Sequence, residues 1–206
     1  MEWKVISIKF LNGQGERSSN LDFFYQLSEQ IFVILDGYEE TTEKDITQFC
    51  EQLALISYKD LESLIATIKE LDPSFKSSIT LLEIRANEIR YIYLGDIRIY
   101  VNSKLVTKDH SYAWKILERT NCFSSEIIAS RCLTHKYRNQ IYKSIQNIRT
   151  DGYEITEMKI EIPSHILVCT DGYWMLEHKQ IIASDNYSLK ELPSKDNYSA
   201  ISISIT

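Results

Sequence analysis

Hydrophobic and polar positions change rhythm several times along the chain, and each rhythm predicts an element. Residues 3–10 alternate and predict a strand, as does the short aromatic stretch 23–27 after a polar loop with two glycines. The apolar run from Ile31 to Leu35 stops at Asp36-Gly37, and a second run from Ile166 to Thr170 stops at Asp171-Gly172. A β-branched run that ends on an acid and a glycine predicts a buried strand that delivers a carboxylate to the edge of a sheet. Between 41 and 71 the period shifts to three and four, with Phe49, Leu53, Ile56, Leu61, Leu64, Ile65, Ile68 and Leu71 on one stripe. That predicts two amphipathic helices, broken near Ser57-Tyr58 and ended by Asp72-Pro73.

Strand patterns resume at 79–85, 89–94, 99–101 and 105–106, with Asn87-Glu88 and Asn102-Ser103 as hairpin turns. Residues 111–135 predict helix. Residues 141–145, 155–162, 166–169 and 198–205 predict further strands. Asp185-Asn186 reads as plain loop. Strands, then two helices, then many hairpin strands argue for antiparallel sheets packed together with helices outside, an α+β arrangement. No Gly-x-Gly-x-x-Gly or Walker loop is present.

Composition narrows the function. The chain has 206 residues, 44% hydrophobic and 25% charged, which suits one domain spanning 1–206. No apolar stretch approaches a membrane span, and Met1-Glu-Trp-Lys-Val has no signal-peptide pattern, so a cytoplasmic protein without membrane contact is expected. The net charge is −6 with no basic run, which gives nucleic acid no phosphate-neutralising surface. Cys50, Cys122, Cys132 and Cys169 are scattered, as are the four histidines, so reduced thiols are expected rather than a zinc site. Trp3, Trp114 and Trp174 read as core or interface aromatics, Trp174 being the candidate to shape a groove.

The chemistry lies in the acids. Asp22, Asp36, Asp171 and Asp196 each sit where a strand begins or ends. Singly these are ordinary turn positions. Together they are a cysteine-free carboxylate set of the kind that suits Mg²⁺ or Mn²⁺. Two such ions a few ångströms apart can activate a water and clamp a phosphoryl oxygen. Arg17, on the loop before Asp22, could hold a phosphate with its planar fork.

An ordered set of motifs runs through nearly the whole chain. It comprises Arg17 with Asn20-Leu21-Asp22, then Asp36-Gly37, Gly95-Asp96-Ile97-Arg98, Asp109-His110-Ser111, Thr170-Asp171-Gly172 and Asp196-Asn197. His135-Lys-Tyr-Arg138-Asn139 follows the Asp-His-Ser motif. This set resembles the metal-dependent Ser/Thr protein phosphatases, the protein phosphatase 2C (PPM) family, in a short bacterial form.

The resemblance implies a four-layer α-β-β-α sandwich with two central antiparallel sheets flanked by helices, and a site for two Mn²⁺ or Mg²⁺ ions at one end. It implies Asp22, Asp36, Asp171 and Asp196 as metal carboxylates, Gly37 as a backbone carbonyl ligand, Arg17 on the substrate phosphate and a metal-bridging water as nucleophile. Asp96 matches a residue linked to a third, weaker ion, while Arg98 and Asp109-His110 would tie hairpins and loop together. The implied partners are phosphoserine and phosphothreonine proteins and a Ser/Thr kinase, the chain acting as a monomer.

The chain also departs from the family. Leu21 stands where a Glu is usual, Tyr38-Glu39-Glu40 replaces a His or Met followed by glycines, and Met175 stands where an acid often follows Asp171 by four residues. The stretch between Asp171 and Asp196 is short, leaving few residues for a flap. Three readings stay open: a phosphatase, a non-catalytic phosphatase fold that binds a phosphoprotein or kinase, and a regulatory phosphatase acting on an anti-sigma-factor antagonist.

Overall fold

In chain order the elements are β1 (Val5–Gly13), β2 (Asp22–Gln26), β3 (Ile31–Gly37), α1 (Glu43–Ala54), α2 (Leu61–Leu71), β4 (Ser77–Arg85), β5 (Glu88–Leu94), β6 (Arg98–Val101), β7 (Lys104–Leu105), α3 (Tyr112–Thr120), α4 (Ser125–Cys132), a 3₁₀ helix (Ile145–Ile148), β8 (Thr156–Lys159), β9 (Ser164–Cys169), α5 (Asp171–Ala183) and β10 (Tyr198–Ile205). The computed structural model describes residues 5–120, 123–184 and 187–206; Trp3, Cys122 and Asp185-Asn186 lie outside them.

The strands form two antiparallel sheets, ordered β1-β10-β9-β6-β7 and β2-β3-β4-β5-β8. Strand side chains alternate between faces, and that period of two sorts the core into layers. Phe32 and Ile34 of β3 meet Ile166, Val168, Ile201 and Ile203 between the sheets. Ile31, Val33 and Leu35, on the other face of β3, pack on Ile46, Phe49 and Leu53 of α1 and Leu64, Ile65 and Ile68 of α2. Leu167 and Cys169 face outward onto Tyr173, Trp174 and Ile181 of α5. The result is the expected α-β-β-α sandwich. Each fully buried Ile, Leu or Phe in these layers contributes roughly 1.5–3 kcal/mol.

Local signals fix the boundaries. Thr42 and Asp45 form a capping box on α1, Asp60 and Ser63 one on α2, and the break falls between the helices as the sequence indicates. Asn102 and Ser103 both take positive φ, 49° and 65°, as a type I′ hairpin turn requires. Cys50, Cys132 and Cys169 are free and buried. Among the described residues, no helix is long and apolar enough to cross a membrane.

Two expectations are corrected and one helix is added. Residues 141–145 do not form a strand: Ile141 makes one isolated bridge to Ser111, and a 3₁₀ helix begins at Ile145. The strand expected over 155–162 stops at Lys159. The stretch after Asp171 holds a full helix, α5, which the sequence pattern did not show.

Candidate functional site

β2 and β3 place Asp22 directly opposite Asp36 across an antiparallel pair. Opposed residues share a face with Cβ atoms about 5 Å apart. Asp22 Oδ2 accepts the Thr170 hydroxyl at 2.5 Å, which ties β2 to the junction between β9 and α5. Thr170 is the N-cap of α5 and Asp171 opens that helix, where a carboxylate meets the positive end of the dipole.

Two glycines bring the remaining acids in. A Cβ on Gly172 would stand 1.9 Å from the Asn197 carbonyl oxygen, so glycine alone lets the start of α5 lie against the segment carrying Asp196. Gly95, at φ +98°, turns the chain after β5 so that Asp96 accepts the Ser78 hydroxyl at 2.9 Å. Asn197 then stitches the β1–β2 loop in place: its Oδ1 accepts the Leu21 amide and its Nδ2 donates to the carbonyls of Gln14 and Ser19.

These residues surround a cleft of about 320 Å³ at one end of the sandwich, whose wall includes Arg17, Asp36, Gly37, Tyr38, Asp96, Asp171 and Asp196. The cleft thus gathers every residue expected to hold metal or phosphate except Asp22. That side chain is only 2% exposed and stands behind the wall, pinned by Thr170. Trp174 does not shape the groove. It is buried, donates its indole N–H to the Asp96 carbonyl at 2.9 Å, and stacks under the Arg98 guanidinium. Arg98 and Asp109 form a fully buried, bidentate pair at 2.9 and 2.8 Å, the structural tie expected of them.

The acids repel one another in a poorly solvated place. Desolvation first, then the neighbouring carboxylates, push Asp22 and Asp36 well above the ordinary carboxylate range. Asp96 rises for the same two reasons, with Asp171 the carboxylate that acts on it most strongly. Asp171 is raised to about 6 by burial and then by Asp196, against the pull of Arg138 and Arg17.

Arg17 engages Asp196 through a two-armed pair, Nε and Nη2 each 2.8 Å from a carboxylate oxygen. Glu39 pairs with Lys76, so the acid added after Gly37 is locally balanced, and Glu40 lines a separate surface pocket. Tyr38 lines the cleft half-buried, and desolvation pushes its hydroxyl up to about 12, which keeps it protonated at neutral pH.

Among the described residues no three or more His, Cys, Asp or Glu side chains are gathered closely enough to hold a metal ion as they stand. The donor chemistry nonetheless fits a hard divalent ion: the cleft offers oxygens only, and their mutual repulsion is what a bound cation would relieve. Asp36, Asp171 and Asp196 with the Gly37 carbonyl could hold such ions from the wall, with Asp22 behind and Asp96 to one side. Sequence reasoning missed Thr170 and Asn197 as organisers. Both lie inside the quoted motifs, beside the aspartates that drew attention.

No family model matches the chain, and no curated protein matches it in sequence. Solved structures do match in fold. PppA, a key regulatory component of T6SS in Pseudomonas aeruginosa, is similar at TM-score 0.71 and 14% identity, over 100% of this chain and 99% of that one. The serine/threonine phosphatase Stp1 from Staphylococcus aureus is similar at TM-score 0.70 and 18% identity, over 99% of this chain and 97% of that one. The catalytic domain of the serine/threonine phosphatase PstP, in complex with 2 manganese ions, is similar at TM-score 0.67 and 14% identity, with 98% of each chain covered. The chain has the fold of the PPM Ser/Thr phosphatases along its whole length.

Proposed function

We propose that this chain is a PPM-family protein phosphatase that hydrolyses phosphoserine and phosphothreonine in proteins, with two Mn²⁺ or Mg²⁺ ions held in the acidic cleft. The observation that carries this is the convergence of Asp36, Asp171, Asp196, the Gly37 carbonyl and Arg17 on one cleft of the phosphatase fold, with Asp22 and Asp96 adjoining. When bound, the ions would lower the pKa of a water and offset phosphoryl charge.

The chain's own residues do the rest. Asp36, Asp171 and Asp196 supply ligand oxygens. Asp22 lends charge from behind and, through Thr170, fixes the first turn of α5 on which Asp171 stands. Asp96 is the candidate for a third, weaker ion. Arg17 can exchange its grip on the Asp196 carboxylate for a substrate phosphate, because both present oxygens to the same fork. Tyr38, protonated on the cleft wall, is a hydrogen-bond donor and a poor general acid. A cytoplasmic Ser/Thr kinase would supply the substrates, and the chain would act as a monomer.

The experiment is release of phosphate from a phosphothreonine peptide with Mn²⁺, with and without EDTA, beside Asp171→Ala. Metal-dependent release that the variant loses supports the enzyme. A second reading, a non-catalytic binder of a phosphoprotein or kinase, is favoured by Leu21 and Met175, where family carboxylates are missing. A folded protein that takes up no Mn²⁺ by calorimetry and releases no phosphate would move the assignment there.

A further inference from the structure

Arg138 has a place that neither the mechanism nor the packing uses up. It follows α4, and its guanidinium lies over the first turn of α5. Nη1 donates to the Leu133 carbonyl at 3.0 Å and reaches the Met175 sulfur at 3.0 Å. Met175 is one helical turn beyond Asp171, and residues four apart share a helix face. The guanidinium therefore sits beside the Asp171 end of the cleft, whose wall also includes Asn139 and Ile141 from Arg138's own segment. Its charge is felt at Asp171, where it favours the ionised carboxyl.

Both contacts use the same nitrogen. Nη2 and Nε donate to nothing among the described residues. A guanidinium carries five donors in a rigid fork, so most of this one's capacity is unspent. The identity of residue 175 matters here. A carboxylate at that position would take the guanidinium as an ion pair, whereas the thioether holds it in place without pairing its charge. Arg138 stands just behind the wall, next to Asn139; on the wall itself Asp36, Asp96, Asp171 and Asp196 have only Arg17 as a cation, and Arg17 is engaged by Asp196.

We propose that Arg138 is a second phosphate-holding arginine, buttressed by the Leu133 carbonyl and Met175 and meeting the substrate's phosphoryl oxygens at the Asp171 end of the cleft. This rests on the phosphatase reading above. It gives the chain two arginines from separate segments around one phosphoryl group, and it turns the loss of an acid at residue 175 into a gain of anion affinity.

The test uses the full chain with Mn²⁺ and compares wild type with Arg138→Ala and Arg138→Lys. Inorganic phosphate is titrated by calorimetry, and kinetics are run on p-nitrophenyl phosphate and on phosphothreonine peptides with neutral or acidic flanks. Losing a charge-assisted fork should raise the phosphate Kd in Arg138→Ala by about tenfold or more. KM should rise in parallel for all substrates with Mn²⁺ affinity unchanged, and Arg138→Lys should recover part of the loss. An unchanged phosphate Kd with a lowered Tm would reduce Arg138 to a cap on α4 and overturn the proposal. So would a KM increase confined to acidic-flanked peptides, which would assign Arg138 to the peptide. A wild type that neither binds Mn²⁺ nor turns over would break the phosphatase reading instead. The phosphate titration still reads Arg138 then: binding lost in Arg138→Ala supports the anion site, and no binding by wild type overturns it.

Discussion

Replacing Asp171 by Asn should make the metal-free protein more stable while abolishing phosphate release. The carboxyl titrates near 3.8 in an unfolded chain and is raised to about 6 in the fold, chiefly by burial and then by Asp196. Ionising it therefore costs folding stability, and about two pKa units at 1.36 kcal/mol each set an upper limit of about 3 kcal/mol. Asn keeps the shape and gives up the charge, including its favourable contact with the α5 dipole, worth about 0.3–1 kcal/mol. Since Asp171 also borders an open cleft, a net gain of about 1–2 kcal/mol is expected at pH 8 in EDTA. The sign depends on pH. Above pH 6 the whole penalty is present, and it fades as pH falls from 6 toward 3.8, because the wild-type carboxyl first takes up its proton in the fold and below 3.8 carries it in both states. Urea unfolding of both proteins at pH 8 and pH 5 measures the gap directly. With Mn²⁺ at pH 8 the order should reverse, because only wild type gains from binding. An Asn variant equal to or weaker than wild type at pH 8 in EDTA, or a gap that does not narrow at pH 5, would refute the picture of a cleft strained by its own charge.

Asp109→Ala should cost about 3–5 kcal/mol in urea unfolding, since it strands the fully buried Arg98 guanidinium; a loss below about 1 kcal/mol would show the pair to be dispensable. Gly172→Ala should lower stability by about 1–3 kcal/mol and weaken Mn²⁺ binding by calorimetry, because the new Cβ drives α5 off the Asn197 carbonyl. His178 is buried against the Tyr100 hydroxyl at 2.9 Å, and desolvation lowers it to about 4. Its contribution is fully present above pH 6.5 and is lost as pH falls from 6.5 toward 4, by up to about 3 kcal/mol, so His178→Gln should flatten the acid limb of a stability–pH profile.

The layers were legible because 31–37, 79–85 and 198–205 read as strands, and each buries one face against the other sheet and the second against helices. Helix α5 was hidden because its buried face, Tyr173, Trp174, Glu177, His178 and Ile181, carries two polar residues while Leu176 stands exposed, so no purely apolar stripe marks it in the sequence. The stretch 141–145 misled for a different reason: Ile141 serves one isolated bridge and Ile145 opens a 3₁₀ turn, so the two never share a strand. At the site, residue type and order located the cleft acids. Depth was not legible: nothing in Asn20-Leu21-Asp22 says that Asp22 would be claimed by a threonine 148 residues away. The same blindness hid Arg138, whose neighbours Leu133 and Met175 come from different elements.

Strand β10 lies between β1 and β9, and the segment leading into it carries Asp196 and Asn197. Arg17 closes on Asp196 across 179 residues and Asn197 binds the Leu21 amide across 176. The cleft is therefore among the last things this chain can make. During synthesis, the first three quarters of the polypeptide can assemble the sheet containing β2 to β5 and its helices, yet lack Asp171, Asp196 and Asn197 from the cleft wall. Contacts of such long range form late, after the local hairpins have closed. On the proposed reading, cation capture would therefore wait until β10 and the segment leading into it are in place, and a copy cut before Asp196 would release no phosphate.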